Sequence, residues 1–212
     1  LADNLKLDSG TGVGASGSAI STNATTLAAR ASASGGVFIN ESDALIIDSV
    51  GGINGISTVN GDINVSTIDG DLTVSNTTAL DDVTAGDASI TLTAGTPTQA
   101  GVARQLVIQT GAKVKVVGSA TGGITLTANN MNLSQATASA GLIDAGNRTV
   151  ILRAFLSGTT VDFAGNSDDA DGDPDTLGIN DTELGNIIGS TQIGDPASTG
   201  NFEINGVLTA TG

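Results

Sequence analysis

The stretch NSDDADGDPDT, residues 166–176, places five aspartates in eight positions: Asp168, Asp169, Asp171, Asp173 and Asp175. Alternation along an extended or looped segment puts Asp169, Asp171, Asp173 and Asp175 on one side. Ca²⁺ takes roughly six to eight hard oxygen ligands, and a flexible Asp-rich loop can supply them. These five aspartates are therefore the candidate metal ligands, and Ca²⁺ is the candidate cofactor. The EF-hand spacing fails, because with Gly172 as its sixth residue the twelfth is Gly178 rather than an acid. The glycine-rich nonapeptide of Ca²⁺-binding β-rolls is absent as well. The competing reading is a solvated acidic insertion loop on the outside of the molecule. From residue 154 onward the chain carries 10 acids and no base, which raises local cation affinity under either reading.

Catalytic constellations are scarce. The chain has no His and no Cys, which removes Ser-His-Asp and Cys-His chemistry. Asp81 and Asp82 are adjacent and point apart if extended, whereas a glycosidase needs two carboxyls facing one bond. No Trp or Tyr supplies a sugar platform. The glycine-rich run GTGVGASGSA, residues 10–19, lacks the Gly-Lys-Ser/Thr of a phosphate loop and reads as a long turn. No catalytic residue is assigned, and the chain is expected not to be an enzyme. Thr-x-Thr occurs at Thr91–Thr93, Thr125–Thr127 and Thr209–Thr211 without one fixed spacing, as a Thr-rich chain gives by chance; a flat ladder of them would suggest ice binding. Asn-x-Ser/Thr sequons at Asn23, Asn40, Asn64, Asn76, Asn132, Asn147 and Asn180 are frequent for the same compositional reason.

Charge narrows the partners. The net charge of −15, from 22 acids against 7 bases, excludes a general nucleic-acid backbone binder and disfavours an anionic membrane surface. Lys113 and Lys115 alternate with valines in AKVKVV, which reads either as a small outward basic spot or simply as the solvent face of a strand. No signal peptide and no apolar run long enough to span a bilayer is visible. The chain begins and ends in mid-pattern, so it reads as a segment of a longer protein or as a mature part of one.

The elements behind these residues repeat. Gly turns precede short strands at GGVFI (Gly35), GDINV (Gly61), GDASITL (Gly86), GGITL (Gly122), GNRTVIL (Gly146) and GNFEI (Gly200). The steps are 26, 25, 36, 24 and 54 residues; 36 reads as one coil with an insertion near TPTQAGVARQ, and 54 as two coils. Second strands fall at 44–48, 71–74, 112–117 and 130–133. Strands of three to five residues with period-two alternation, broken by Gly, Asn, Asp, Ser and Thr, recur about every 25 residues. No window keeps a helical period over three turns; the one helical candidate is a short turn at 181–188, with Asn180 or Asp181 as N-cap and Gly189 as its stop.

Coils of that length stack as rungs of a parallel β-solenoid. Roughly eight rungs at about 4.8 Å each give a rod core on the order of 40 Å long. With four Phe and no other aromatic, the interior must be filled by stacked Val, Ile, Leu and Ala, with Phe38, Phe155, Phe163 and Phe202 as interior plugs. A β-sandwich also has many short strands, but with longer strands and aromatic anchors. The expected organisation is a single all-β segment: a less regular start at 1–34, rungs at 35–165, the acidic loop at 166–176 and terminal rungs at 177–212.

With the rungs laid out, GDINVSTIDGDLTV, GDASITLTAG and GGITLTANNMNLS resemble the repeats of filamentous-haemagglutinin-like large exoproteins of bacteria. IDAGNRTVILRAFLSGTTVDFAG followed by TLGINDTELGNIIGSTQIGD resembles a repeat of very large bacterial surface proteins. The resemblance implies a right-handed parallel β-helix, secretion, and a role in adhesion, cell–cell contact or matrix formation. It implies an extracellular or cell-surface location, with partners that are further repeats, a second copy of the chain joined end to end or laterally, or cell-surface and matrix glycans. No nucleic acid and no membrane insertion is expected. The alternative is an extracellular polysaccharide-binding or polysaccharide-cleaving β-helix module.

Overall fold

The structure, a computed structural model, describes residues 2–75, 82–95, 104–118, 121–133, 143–155, 157–163, 176–197 and 199–204. Within them lie nineteen strands and one short helix, and every strand pairing is parallel. The strands stack in three walls. The first wall holds β2 (Ile20–Thr22), β4 (Val37–Glu41), β7 (Ile63–Thr67), β10 (Ile90–Thr93), β13 (Ile124–Thr127) and the C-terminal halves of β15 (Ile143–Arg153) and β18 (Ile187–Ile193). The second holds the N-terminal half of β3 (Ala24–Ala31), then β5 (Leu45–Ile47), β8 (Leu72–Val74), β11 (Gln105–Ile108) and β14 (Asn130–Asn132). The third holds the C-terminal half of β3, then β6 (Ile56–Thr58), β9 (Val83–Ala85), β12 (Val114–Val116) and the N-terminal halves of β15 and β18. β1 (Ala2–Ser9) runs along the whole of β3. Because β3 and β15 bend from one wall into the next, the walls belong to one 16-stranded sheet. This is a parallel β-solenoid.

Alternation puts one apolar set inside each wall. On the first wall Val37, Ile63, Ile90, Ile124 and Val150 form one inward column, and Ile39, Val65, Leu92, Leu126 and Leu152 a second. Leu45, Leu72, Leu106 and Met131 stack on the second wall, and Ala29, Ile56, Val83, Val114 and Ile143 on the third. All of these are buried. Full burial of one such side chain stabilises by about 1.5–3 kcal/mol, so the columns supply the driving force without aromatics. Along Val37, Ile63, Ile90, Ile124 and Val150 the steps are 26, 27, 34 and 26 residues. The long step comes from the stretch between β10 and β11, where the sequence suggested an insertion; the register on either side is kept.

Close stacking restricts the corners. A Cβ on Gly61 would overlap the backbone of Gly35 and Gly36 in the adjacent coil, and one on Gly35, whose φ is +79°, would overlap the carbonyl of Thr11. The Gly-Asp turns therefore recur because nothing larger fits between successive coils.

Several expectations change. The helix α1 spans Asp181–Gly185, not 181–188: Ile187 and Ile188 belong to β18, where Ile187 continues the third-wall column above Ile143. After Val150 the first wall continues with Thr191, while the strand behind Gly200, β19 (Phe202–Ile204), joins a separate three-stranded sheet. In that sheet β16 (Thr160–Phe163) is central, with β19 on one side and β17 (Thr176–Ile179) on the other, and β17 packs near β14 of the larger sheet, so chain order and stacking order differ there. Strand 112–117 proves to be third-wall, whereas 44–48, 71–74 and 130–133 are second-wall. Phe38 is not an interior plug: it faces outward on β4 and is half-buried, its ring lying against Gly36, and Phe155 is also only half-buried. The side chains of Phe163 and Phe202 lie outside the described residues.

Candidate functional site

The candidate Ca²⁺ ligands Asp168, Asp169, Asp171, Asp173 and Asp175 lie outside the described residues; the segment that carries them connects β16 to β17. Asp81 lies outside them too. Among the described residues there is no group of three or more carboxylates placed to share an ion.

The acids that the structure does place inside are used as clamps. Glu41 ends β4 fully buried. Its Oε2 accepts from the Thr22 hydroxyl at 2.7 Å and from the Ala24 amide at 3.0 Å, both in the preceding coil, and its Oε1 accepts from the Ser42 amide at 2.9 Å. Asp82, also fully buried, accepts from the Lys113 amide at 3.0 Å in the following coil and returns its own amide to the Lys113 carbonyl at 3.1 Å. Glu183 is the third. A carboxylate suits these corners because it offers several acceptor sites to amides that the sheet ladders leave unpaired, and charge-assisted bonds are about twice as strong as neutral ones. Long-range pairing of this kind leaves no short sequence motif for Glu41 or Asp82.

Glu183 was partly legible. NDTELGN forms a capping box: the Asn180 side chain accepts from the Thr182 and Glu183 amides, and Glu183 Oε2 accepts from the Asn180 amide at 3.0 Å. The other carboxylate oxygen accepts from the Leu133 amide at 2.8 Å, just after β14. Asn186 closes the same junction, donating to the Leu133 carbonyl at 3.3 Å and accepting from the Ile143 amide at 3.1 Å. One helical turn thus ties three segments together.

Outward positions separate the walls. On the third wall Lys115 sits opposite Asp144, 3.3 Å away, and on β3 Arg30 forks onto Asp8 at 3.0 and 2.9 Å. The basic spot suggested by AKVKVV is thus paired with the next coil. At the corner between the first and second walls, Asp43, Asp69 and Asp71 border an open groove of about 400 Å³ with Arg104, which is ion-paired to Asp69. The first wall differs. On β4, β7, β10 and β13 one column alternating with the inward ones is Phe38, Asn64, Thr91 and Thr125 and the other is Asn40, Ser66, Thr93 and the buried Thr127; on β15 they continue with Ile151 and with Arg153, which donates to the Thr127 hydroxyl at 3.0 Å and pairs with Asp195 at 3.6 Å. The Thr91–Thr93 and Thr125–Thr127 pairs are in register, Thr91 beside Thr125 and Thr93 beside Thr127; Thr209–Thr211 lies outside the described residues. Beside Phe38, the turn at Ala15–Ala19 closes one end of this strip over a groove of about 350 Å³. No helix among the described residues is long and apolar enough to cross a membrane, which says nothing about strands. No family model matches the chain, and no match to it is found among curated proteins or solved structures.

Proposed function

We propose that the chain is a non-catalytic rod segment of a secreted bacterial surface protein or extracellular filament, of the filamentous-haemagglutinin-like kind. Its function is reach, rigidity and association with further coils. The observation that carries this reading is the in-register stacking of inward columns across successive coils, which uses nearly every buried side chain, and the buried acids too, to hold coil on coil. Among the described residues β1 and β2 are each paired along one edge only. An unpaired parallel edge is a template for another strand, whether from more of the same chain or from a second copy. A head-to-tail contact between copies does not close on itself and gives filaments. The charge of −15 then favours lateral bridging by Ca²⁺, with Asp168, Asp169, Asp171, Asp173 and Asp175 as the loop that contributes most.

The test is electron microscopy of the purified chain over a range of concentrations, with added Ca²⁺ and with a chelator. Expected are rods that lengthen end to end with concentration and associate side by side only with Ca²⁺. Discrete single particles at every concentration refute self-association, and release of reducing sugar from polysaccharides refutes the non-catalytic assignment.

A further inference from the structure

We propose that Asn60, at the corner between β6 and β7, is a self-modification site: it deamidates through attack by the Gly61 amide, and the isoaspartate so formed loosens the β4–β7 stack. The inference is independent of self-association, since a rod that stays single carries the same corner.

The reaction needs only water. Glycine leaves the amide that follows an asparagine sterically open. Water or hydroxide takes the Gly61 amide proton, and the nitrogen's electron pair forms a bond to Asn60 Cγ. The bond from Cγ to the side-chain nitrogen breaks, and that nitrogen leaves as ammonia with a proton returned from solvent. The resulting five-membered succinimide adds one water. Opening at Cγ gives aspartate at position 60. Opening at the main-chain carbonyl carbon gives isoaspartate, which routes the backbone through the side chain and lengthens it by one carbon.

The fold sets Asn60 apart from the other two Asn-Gly or Asp-Gly pairs among the described residues. At Asn54–Gly55 the glycine is buried, and its amide donates to the Asp48 carbonyl at 3.3 Å, so the nucleophile is occupied. At Asp69–Gly70 the glycine is buried too, and the Asp69 carboxylate is ion-paired to Arg104. A cation beside a carboxylate favours its ionised form, which is a poor electrophile. Asn60 is exposed and Gly61 only half-buried. Among the described residues neither the Asn60 side chain nor the Gly61 amide makes a hydrogen bond.

The same fold separates the two products. STVNGD, residues 57–62, and STIDGD, residues 66–71, build the same corner. The Thr58 hydroxyl donates to the Gly61 carbonyl at 2.5 Å, as the Thr67 hydroxyl does to that of Gly70 at 2.6 Å. The Asp62 and Asp71 carbonyls accept from the Val37 and Leu45 amides of the preceding coil, both at 2.9 Å. Asp69 stands where Asn60 stands, so aspartate at position 60 fits the corner. An added main-chain carbon does not, because even a Cβ on Gly61 would overlap the backbone of Gly35 and Gly36. Isoaspartate therefore pushes one coil off the other where β7 begins.

The purified chain is aged in mildly alkaline buffer made with water labelled with heavy oxygen, folded and in urea, and fragment-ion mass spectrometry locates each labelled site. In the folded chain Asn60 should convert at least about fivefold faster than Asn54, the factor that opening one intramolecular hydrogen bond imposes. In urea the two rates should converge. The separated isoaspartate form should melt below fresh protein and exchange its β4 and β7 amides faster, whereas Asn60→Asp should melt like the parent. Asn60→Gln, which needs a larger ring to react, should keep its melting temperature on ageing. The proposal is overturned if Asn54 converts as fast as Asn60 in the folded chain, if Asn60 reacts in urea but not when folded, or if the isoaspartate form melts like fresh protein.

Discussion

Replacing Glu183 by Gln changes one atom of the side chain and should cost much of the stability of the C-terminal coils. The carboxylate is fully buried and holds two amides on different segments, Leu133 at 2.8 Å and Asn180 at 3.0 Å. Gln keeps one acceptor oxygen, so one amide loses its partner and meets an NH₂ group instead. A hydrogen bond to a charged group contributes about 1.5–3 kcal/mol, and a buried donor left unsatisfied costs about 1–3 kcal/mol. The expected loss is therefore about 3–5 kcal/mol. In a solenoid this loss is local, because each coil touches only its neighbours, so α1, β17 and β18 should open before the remainder. Urea denaturation gives the size, and amide hydrogen exchange gives the place: protection at Leu133, Asn180 and Ile143 should fall while that of β4, β7 and β10 persists. A loss below about 0.5 kcal/mol, the range of an ordinary surface change, would refute the clamp reasoning.

Two further outcomes test the stack and its surface charges. Gly61→Ala should destabilise by about 2–4 kcal/mol, at the upper end of single-residue effects, because its Cβ meets backbone atoms of Gly35 and Gly36; Gly10→Ala, with open space around it, should change stability little. Equal melting temperatures for the two variants would contradict the corner packing. The Arg30 guanidinium holds the exposed Asp8 carboxyl below its ordinary value of 3.8, chiefly through the forked hydrogen bond. A carboxyl depressed in the folded state stabilises above its ordinary titration range, and that contribution disappears as pH falls through the depressed value. Arg30→Gln should move the Asp8 midpoint upward in an NMR titration, whereas a parent midpoint at or above the ordinary value would contradict the pairing.

The information readable along the chain is local. Gly-Asp turns, three- to five-residue alternating runs and a coil length near 25 were readable because turn chemistry and period-two patterning act over a few residues. The solenoid followed from them, as did the insertion between β10 and β11 and a helix start at Asn180 or Asp181, of which the structure uses Asn180. Tertiary structure decided the rest. Strands as short as Ile56–Thr58 and Val83–Ala85 carry too few residues to declare a third wall. The pairing of β17 with β16 and its packing near β14 have no local signature. Glu41, Asp82 and Glu183 became clamps only when coils 17 to 50 residues apart were laid against one another. The Thr pairs looked irregular along the chain because 34 residues separate Thr91 from Thr125, yet they stand opposite one another in adjacent coils. The physical reason is common to all of these: inward columns set the register between coils, and that register is kept on both sides of an insertion, so distance along the chain does not measure distance between coils.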